Sequence, residues 1–421
     1  MKNNIRFDLS DYLIHFYRDV DLRGKNYIHF PEHCGFNNLA HSDYLDARFL
    51  LRCAIRHSKI SASWSFRGGV RTIYGESPAV CFTDMPISAF VKTSADRLSK
   101  GENIGLYALL LPKADMFNIG ARPVIYGLDG FGLSLPSGYG GNKRIIAPGL
   151  LPLNEQYRYV TYAPGSIDWT HEREWRWPFR GNMDDYETEI KEDGRHSDFN
   201  NTPGLELEYV NLKGAGVIVP NNHDVKYILN DLLTLIDRNL LSRDSFTFII
   251  STENLSSYLD IVDPASLSHY INQNLLNIDE FFNLSQPVVD KFGYDVNTII
   301  SSELKKYLSN CNSHNREIGR AWVWLLDNKS ELTRALLEYG SVSVSKEGRY
   351  LLDLGCRALI NLNLSQQEEF ARIVAKELNQ KYGVLCSYFS VINSGSYDDI
   401  PSYAGYHDEK HEFFNSTLKV D

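Results

Sequence analysis

The chain changes character near residue 221, and that change restricts the fold more than any single motif does. Before it, short runs rich in aromatic or β-branched residues and bounded by Gly, Pro or Asp occupy residues 12–17, 79–83, 105–111, 122–126, 157–162, 172–177 and 216–219, the pattern of strands. Among them, residues 43–58 read as a helix. Leu45, Phe49, Leu50, Cys53 and Ala54 recur at helical spacing, while Arg48, Arg52 and Arg56 recur every four residues on another face that reads as solvated. After residue 221, helical periods dominate at 225–241, 265–282, 288–309 and 365–382, interrupted by short strands at 321–326 and 387–392. A strand-rich segment followed by a helix-rich one predicts an α+β protein. The boundary is placed at residue 255, giving domains 1–255 and 256–421, the second expected to be a helix-rich α/β domain. No internal repeat is visible.

Composition fits a globular chain: 43% hydrophobic, 23% charged, and no apolar run near the ~18 residues of a membrane span. Residues 1–11 are polar rather than basic-then-apolar, so the expectation is a soluble cytoplasmic protein with no membrane partner. The six cysteines are scattered, without zinc-ribbon spacing, which suits reduced thiols; Cys53 and Cys81 lie in apolar surroundings and read as small packed hydrophobes rather than nucleophiles. The net charge of −10 is unevenly spread. Residues 1–180 carry 22 Lys+Arg against 17 Asp+Glu, and residues 181–421 carry 21 against 36. The basic first half suits a phosphate-bearing ligand, whereas the acidic second half is poorly suited to follow a nucleic-acid backbone.

Residues 168–178 read Asp-Trp-Thr-His-Glu-Arg-Glu-Trp-Arg-Trp-Pro and hold three of the six tryptophans. In an extended strand Glu172, Glu174 and Arg176 share one face, and Arg173, Trp175 and Trp177 share the other. Two readings stay open: a carboxylate pair backed by an aromatic wall, or a surface strand whose Glu and Arg form ion pairs worth little. His15 lies in an alternating apolar run at 9–18, where a lone histidine is by itself a hydrogen-bonded core residue. After the 43–58 helix come Ser61-Ala62-Ser63, an arginine-bearing loop with Arg67 and Arg71 flanking Gly68-Gly69, and the strand end Cys81-Phe82-Thr83-Asp84-Met85-Pro86.

Other candidates carry less. His29 and His33 have metal-ligand spacing, but Pro31 between them opposes a helix; His407 and His411 lack a third ligand, so no metal is expected. Residues 138–144 lack the Gly-Lys-Ser/Thr ending of a phosphate loop, and the glycine-rich stretches 130–141 and 181–204 read as loops. No Gly-x-Ser-x-Gly elbow and no Rossmann fingerprint after a strand occurs.

The order of these segments resembles bacterial abortive-infection and phage-defence proteins of the AbiGi-like type. These are a His-Phe strand (His15, Phe16), a helix, a Ser-Ala-Ser turn, an arginine loop, a Cys-Phe-Thr-Asp-Met-Pro strand end and a Glu-Arg-Glu-Trp-Arg strand. The N-terminal part of such proteins resembles a divergent ADP-ribosyltransferase with the plan of the DNA-modifying DarT toxins. The resemblance covers residues 9–180 and implies a split-sheet domain that binds NAD as substrate. It places His15, with Phe16, near the adenosine ribose, and Phe82-Thr83 where a small hydroxyl residue props the site. Glu174 would hold the nicotinamide-ribose 2′-OH, and Glu172 would orient the acceptor. Tyr17 stands where a hydroxyl residue of the motif is expected, and the acidic stretch around residues 184–193 follows the glutamates, so the acceptor is left open between nucleic acid and protein.

The chemistry has its own logic. Breaking the nicotinamide glycosidic bond develops positive charge on the ribose, which a carboxylate at the 2′-OH stabilises; the neutral leaving group needs little acid assistance. A pyrophosphate needs cations, and Arg52, Arg56, Arg67 and Arg71 form the densest positive cluster in the chain, of which Arg67 and Arg71, flanking Gly68-Gly69, read as ligand-facing. The competing reading is a non-catalytic nucleotide- or partner-binding module of a defence system. A metal-dependent nuclease is the weaker third, because no carboxylate cluster has metal-site spacing.

Overall fold

A computed structural model describes residues 9–21, 44–67, 70–102, 104–128, 144–183, 203–253, 264–273, 278–309, 317–355, 359 and 362–404. The described residues form eight α-helices and several sheets, an α+β architecture. The chain divides into two compact units: unit 1 comprises 1–228, 244–276 and 415–421, and unit 2 comprises 229–243 and 277–414. The expected boundary at residue 255, both histidine pairs, the 130–141 loop and most of 181–204 lie outside the described residues.

Unit 1 is built on a seven-stranded sheet in the order Phe246–Ser251, Ala215–Val219, Tyr107–Pro112, Tyr12–Tyr17, Ala79–Thr83, Glu174–Pro178, Arg122–Pro123. Neighbours are antiparallel except the pair Ala215–Val219 and Phe246–Ser251, which is parallel. Tyr12–Tyr17 is fully zipped to Tyr107–Pro112, yet it meets Ala79–Thr83 at one registered pair, Ile14↔Thr83. That single pair joins a four-stranded half to a three-stranded half. Ile14, Leu110, Ile218 and Phe248 pack on one face against Ile87, Phe90 and Val91 of the helix Ile87–Ser99. Leu13, Leu109 and Val217 are also fully buried, so both faces of the sheet centre are covered.

The expected helix at 43–58 is Ala47–Arg56, started by the Asp46 carboxylate accepting from Phe49 N at 2.6 Å. Its arginine face is not solvated. Arg52 is buried, Arg48 reaches Asp224 at 3.4 Å, and both guanidiniums lie over the Tyr227 ring at 5.1–5.3 Å. An aromatic face accepts such stems and charges, which helical spacing alone cannot reveal. The expected strand at 157–162 is a 3-10 turn, Leu153–Arg158, running into the short strand Tyr159–Val160.

Unit 2 carries a five-stranded antiparallel sheet in the order Val342–Val344, Tyr350–Leu352, Gly319–Leu325, Cys386–Ile392, Pro401–Ala404. The expected α/β character is therefore corrected to α+β. Ala321, Val323 and Leu325 pack with Val296, Ile300, Leu336, Phe370 and Val374 of three helices, Gln286–Leu308, Glu331–Glu338 and Leu364–Tyr382. The last has a full capping box at Asn363 and Gln366 and ends at Gly383 with φ 68°. Trp322, Trp324 and Phe389 alternate onto the other face.

Candidate active site

The three strands that carry the motif positions are neighbours in unit 1. Ile14 pairs with Thr83 and Thr83 with Glu174, so Thr83 and Glu174 share a sheet face where the two halves of the sheet meet, while His15, next to Ile14, packs on Phe82. The His15 ring reaches across this junction, with Nδ1 2.8 Å from the Cys81 carbonyl oxygen, and packs edge-on against Tyr17 and Phe82. A carbonyl only accepts, so Nδ1 carries the proton. Burial outweighs that bond and lowers the imidazole to about 4, leaving it neutral at pH 7 with Nε2 as an acceptor.

Glu174 opens the strand Glu174–Pro178. Its two oxygens receive Arg176 Nε at 2.7 Å and Nη2 at 3.2 Å, a fork-to-fork pair. Arg176 Nη1 also donates to the Tyr157 and Tyr159 carbonyls at 2.8 and 3.2 Å. The Arg176 side chain is 5% exposed and that of Glu174 15%. The charged face of this strand is therefore the buried one, whereas Trp175 and Trp177 stay half-buried. This corrects both sequence readings: the ion pair exists, but inside the unit, made tolerable by one backbone carbonyl from the 3-10 segment and one from the strand that follows it. Burial opposes the Arg176 charge, yet Glu174 outweighs it and holds the guanidinium protonated. The Cys81 thiol is pushed up by burial and by Glu174, which makes it a packed thiol and no nucleophile.

Glu172 does not share that strand face. It ends a 3-10 turn, Thr170–Glu172, and Arg173 follows in the left-handed region at φ 47°, which breaks the period-2 alternation. Asp84 sustains this bend: it receives Arg173 Nε at 2.6 Å, Lys113 Nζ at 3.2 Å and Trp175 Nε1 at 3.2 Å, while its own N–H donates to Arg173 O. Thr83 Oγ1 donates to the Glu172 carbonyl at 2.6 Å and accepts from Met85 N. The Glu172 carboxylate is about one-third exposed and lies 3.9 Å from Arg97.

The remaining predicted residues fall elsewhere. Phe16 packs on Phe90 in the core under the helix Ile87–Ser99, and Phe82 is buried beside His15. The Arg71 guanidinium lies 3.9 Å over the Trp64 ring, and the Arg67 backbone lies in the short strand Phe66–Arg67. Sequence reasoning passed over Asp84 and Tyr126. The first stood in the quoted Cys-Phe-Thr-Asp-Met-Pro segment. The second donates from its hydroxyl to Trp169 O at 3.1 Å, and burial followed by the charge of Glu174 pushes its phenol up. Among the described residues no group of three His, Cys, Asp or Glu could hold a metal ion, and no helix is long and apolar enough to cross a membrane.

Residues 284–416 match a family described as a protein of unknown function (DUF4427). The match covers a minority of the chain, lies apart from His15, Thr83 and Glu174, and brings no activity with it. No curated protein and no solved structure matches the chain.

Proposed function

We propose that the chain is an ADP-ribosyltransferase-like effector of the abortive-infection or phage-defence kind, which cleaves NAD at the nicotinamide bond and passes ADP-ribose to a nucleic-acid or protein acceptor. The observation that carries this reading is that His15, Thr83 and Glu174 lie on three adjacent strands at a one-pair junction between two half-sheets. Such a junction supports the split-sheet plan. The Arg176 fork occupies one lone pair on each Glu174 oxygen, so a carboxylate held in one orientation keeps acceptor capacity for a ribose 2′-OH. As the C1′–N bond breaks, its electron pair leaves with neutral nicotinamide, and the fixed Glu174 charge faces the cation that develops on the ribose. The acceptor then bonds to C1′ and loses its proton, for which Glu172, partly exposed at the bend, would serve as the base. His15 Nε2 offers an acceptor for an adenosine-ribose hydroxyl.

One observation favours the second reading, a non-catalytic binding module: both Glu174 oxygens already serve a buried arginine, as a structural ion pair would. Mass spectrometry of nucleic acid and protein from cells expressing wild type or Glu174→Gln separates the two. The transferase reading expects an added ADP-ribose that depends on Glu174. No adduct, together with NAD binding that Glu174→Gln leaves unchanged in calorimetry, would establish the binding module instead.

A further inference from the structure

The two glutamates of the candidate site have different supports. Glu174 is fixed by the Arg176 fork and by its strand: it pairs with Thr83 on one side, and its carbonyl receives Val124 N at 3.1 Å on the other. Glu172 precedes that strand, in the 3-10 turn Thr170–Glu172, and none of those bonds reaches it. Where its carboxylate lies follows from the turn that carries it.

That turn is tied down by two consecutive residues at the end of the strand Ala79–Thr83. The Arg173 N–H folds back to Thr170 O at 3.1 Å, and the Glu172 N–H to Trp169 O at 3.0 Å. Arg173 thereby sits at φ 47°, a conformation that a residue with a Cβ keeps where its surroundings impose it. Asp84 grips it at two points: the Asp84 N–H donates to the Arg173 carbonyl at 3.2 Å, and Oδ1 receives Arg173 Nε at 2.6 Å. Oδ2 receives Lys113 Nζ and Trp175 Nε1, each at 3.2 Å, and the Asp84 side chain is 13% exposed, so this carboxylate is held in one orientation and largely shielded from water. Thr83 adds the bond from Oγ1 to the Glu172 carbonyl at 2.6 Å.

We propose that Asp84 is a positioning residue that sets how ADP-ribose is partitioned between the acceptor and water, an inference that rests on the transferase reading above. As the C1′–N bond breaks, its electron pair leaves with nicotinamide, and C1′ then bonds either to an acceptor heteroatom or to water. In both cases the incoming group gives up one proton. Glu172 would take the proton of the acceptor, and a base works only within hydrogen-bond reach, so a displacement of about 1 Å costs this step heavily. Glu174, assigned to bond cleavage, keeps its Arg176 fork without Asp84. Loosening Asp84 therefore separates the two steps: transfer falls further than cleavage, and water takes the difference.

The test gives wild type, Asp84→Asn and Lys113→Met, each as the full chain, NAD with cell extract as the source of acceptor. Nicotinamide released and ADP-ribose joined to macromolecules are both counted, and hydrogen exchange of the peptide covering residues 169–173 is followed by mass spectrometry without NAD. Asp84→Asn keeps the shape but removes the charge and turns an amide N–H2 toward donors. It is expected to lower the ratio of ADP-ribose transferred to nicotinamide released about tenfold or more, and to speed exchange of the turn amides by a similar factor. Lys113→Met leaves the grip on Arg173 in place and should change both far less. Partial unfolding lowers transfer and release together, so the ratio separates positioning from a merely structural role. An active wild type whose ratio Asp84→Asn leaves unchanged, or turn amides that exchange equally slowly in both, would overturn the assignment and leave the transferase reading standing. A wild type that releases no nicotinamide would sink that reading and this role with it, while the exchange comparison would still show whether Asp84 holds the turn.

Discussion

Replacing Arg176 by methionine removes the buried cation that pairs with Glu174. The Arg176 side chain is 5% exposed and donates to both Glu174 oxygens and to the carbonyls of Tyr157 and Tyr159. Breaking one partner of a buried pair strands the other charge, at a cost of about 3–5 kcal/mol. Two carbonyls also lose a donor, worth ~1–3 kcal/mol each if they stay buried, although the terms share one relaxation and do not add fully. A net loss of about 3–5 kcal/mol in unit 1 is the expectation. Urea denaturation followed by tryptophan fluorescence is the assay, since Trp175 and Trp177 flank the site of the change. The double variant Glu174→Gln with Arg176→Met should recover part of the loss, because the stranded charge is gone. A cost below about 1 kcal/mol for Arg176→Met, or a double variant no better than the single, would refute a buried, mutually dependent pair.

Three further outcomes follow from the same geometry. The folded His15 pKa, lowered to about 4 from the usual 6.5, means that its contribution is complete above pH 6.5 and is lost as pH falls from 6.5 to 4. About 3 kcal/mol should disappear over that window in wild type, and His15→Asn should flatten this part of a stability–pH curve. Cys81 and Cys386, whose thiols are both pushed up by burial, should resist iodoacetamide in the native protein at pH 8, which peptide mass spectrometry after alkylation would read out. Gly105→Ala would place a Cβ 1.6 Å from the Tyr17 carbonyl at the end of the His15 strand, forcing backbone to move. It should lower stability by about 2 kcal/mol or more in the same denaturation assay.

Much of the local structure was legible because sequence and burial agree there. Tyr12–Tyr17 and Ala79–Thr83 have the predicted bounds, since their aromatic and β-branched runs end at polar or proline punctuation. Gln286–Leu308 and Leu364–Tyr382 lie close to their predicted ends for the corresponding reason at helical period. The helix Ile87–Ser99 escaped notice because it begins after Pro86 without a side-chain cap and carries Ser and Thr in place of strong helix formers. Phe246–Ser251 reads strongly as a strand in hindsight, yet its parallel pairing with Ala215–Val219 is a tertiary fact.

The candidate site was legible in order and not in geometry. The motifs of His15, Thr83 and Glu174 could be ranked along the chain, and adjacency of their strands follows from the sheet. Two features were hidden. A left-handed residue at Arg173 detaches Glu172 from the strand, and its anchor, Asp84, is 89 residues away in sequence. The buried face of the strand is the charged one only because carbonyls of Tyr157 and Tyr159 meet Arg176, which no periodicity encodes.

The central claim is that Glu174 serves the cleavage of NAD, and nicotinamide release by the purified full chain, with cell extract as a source of acceptor, tests it most directly. The account predicts that wild type releases nicotinamide and that Glu174→Gln, with its folding verified by circular dichroism, does so at least ~100-fold more slowly, the order of effect of deleting a charge that stabilises the transition state. Equal rates in wild type and a folded Glu174→Gln, or no release by wild type, would contradict it.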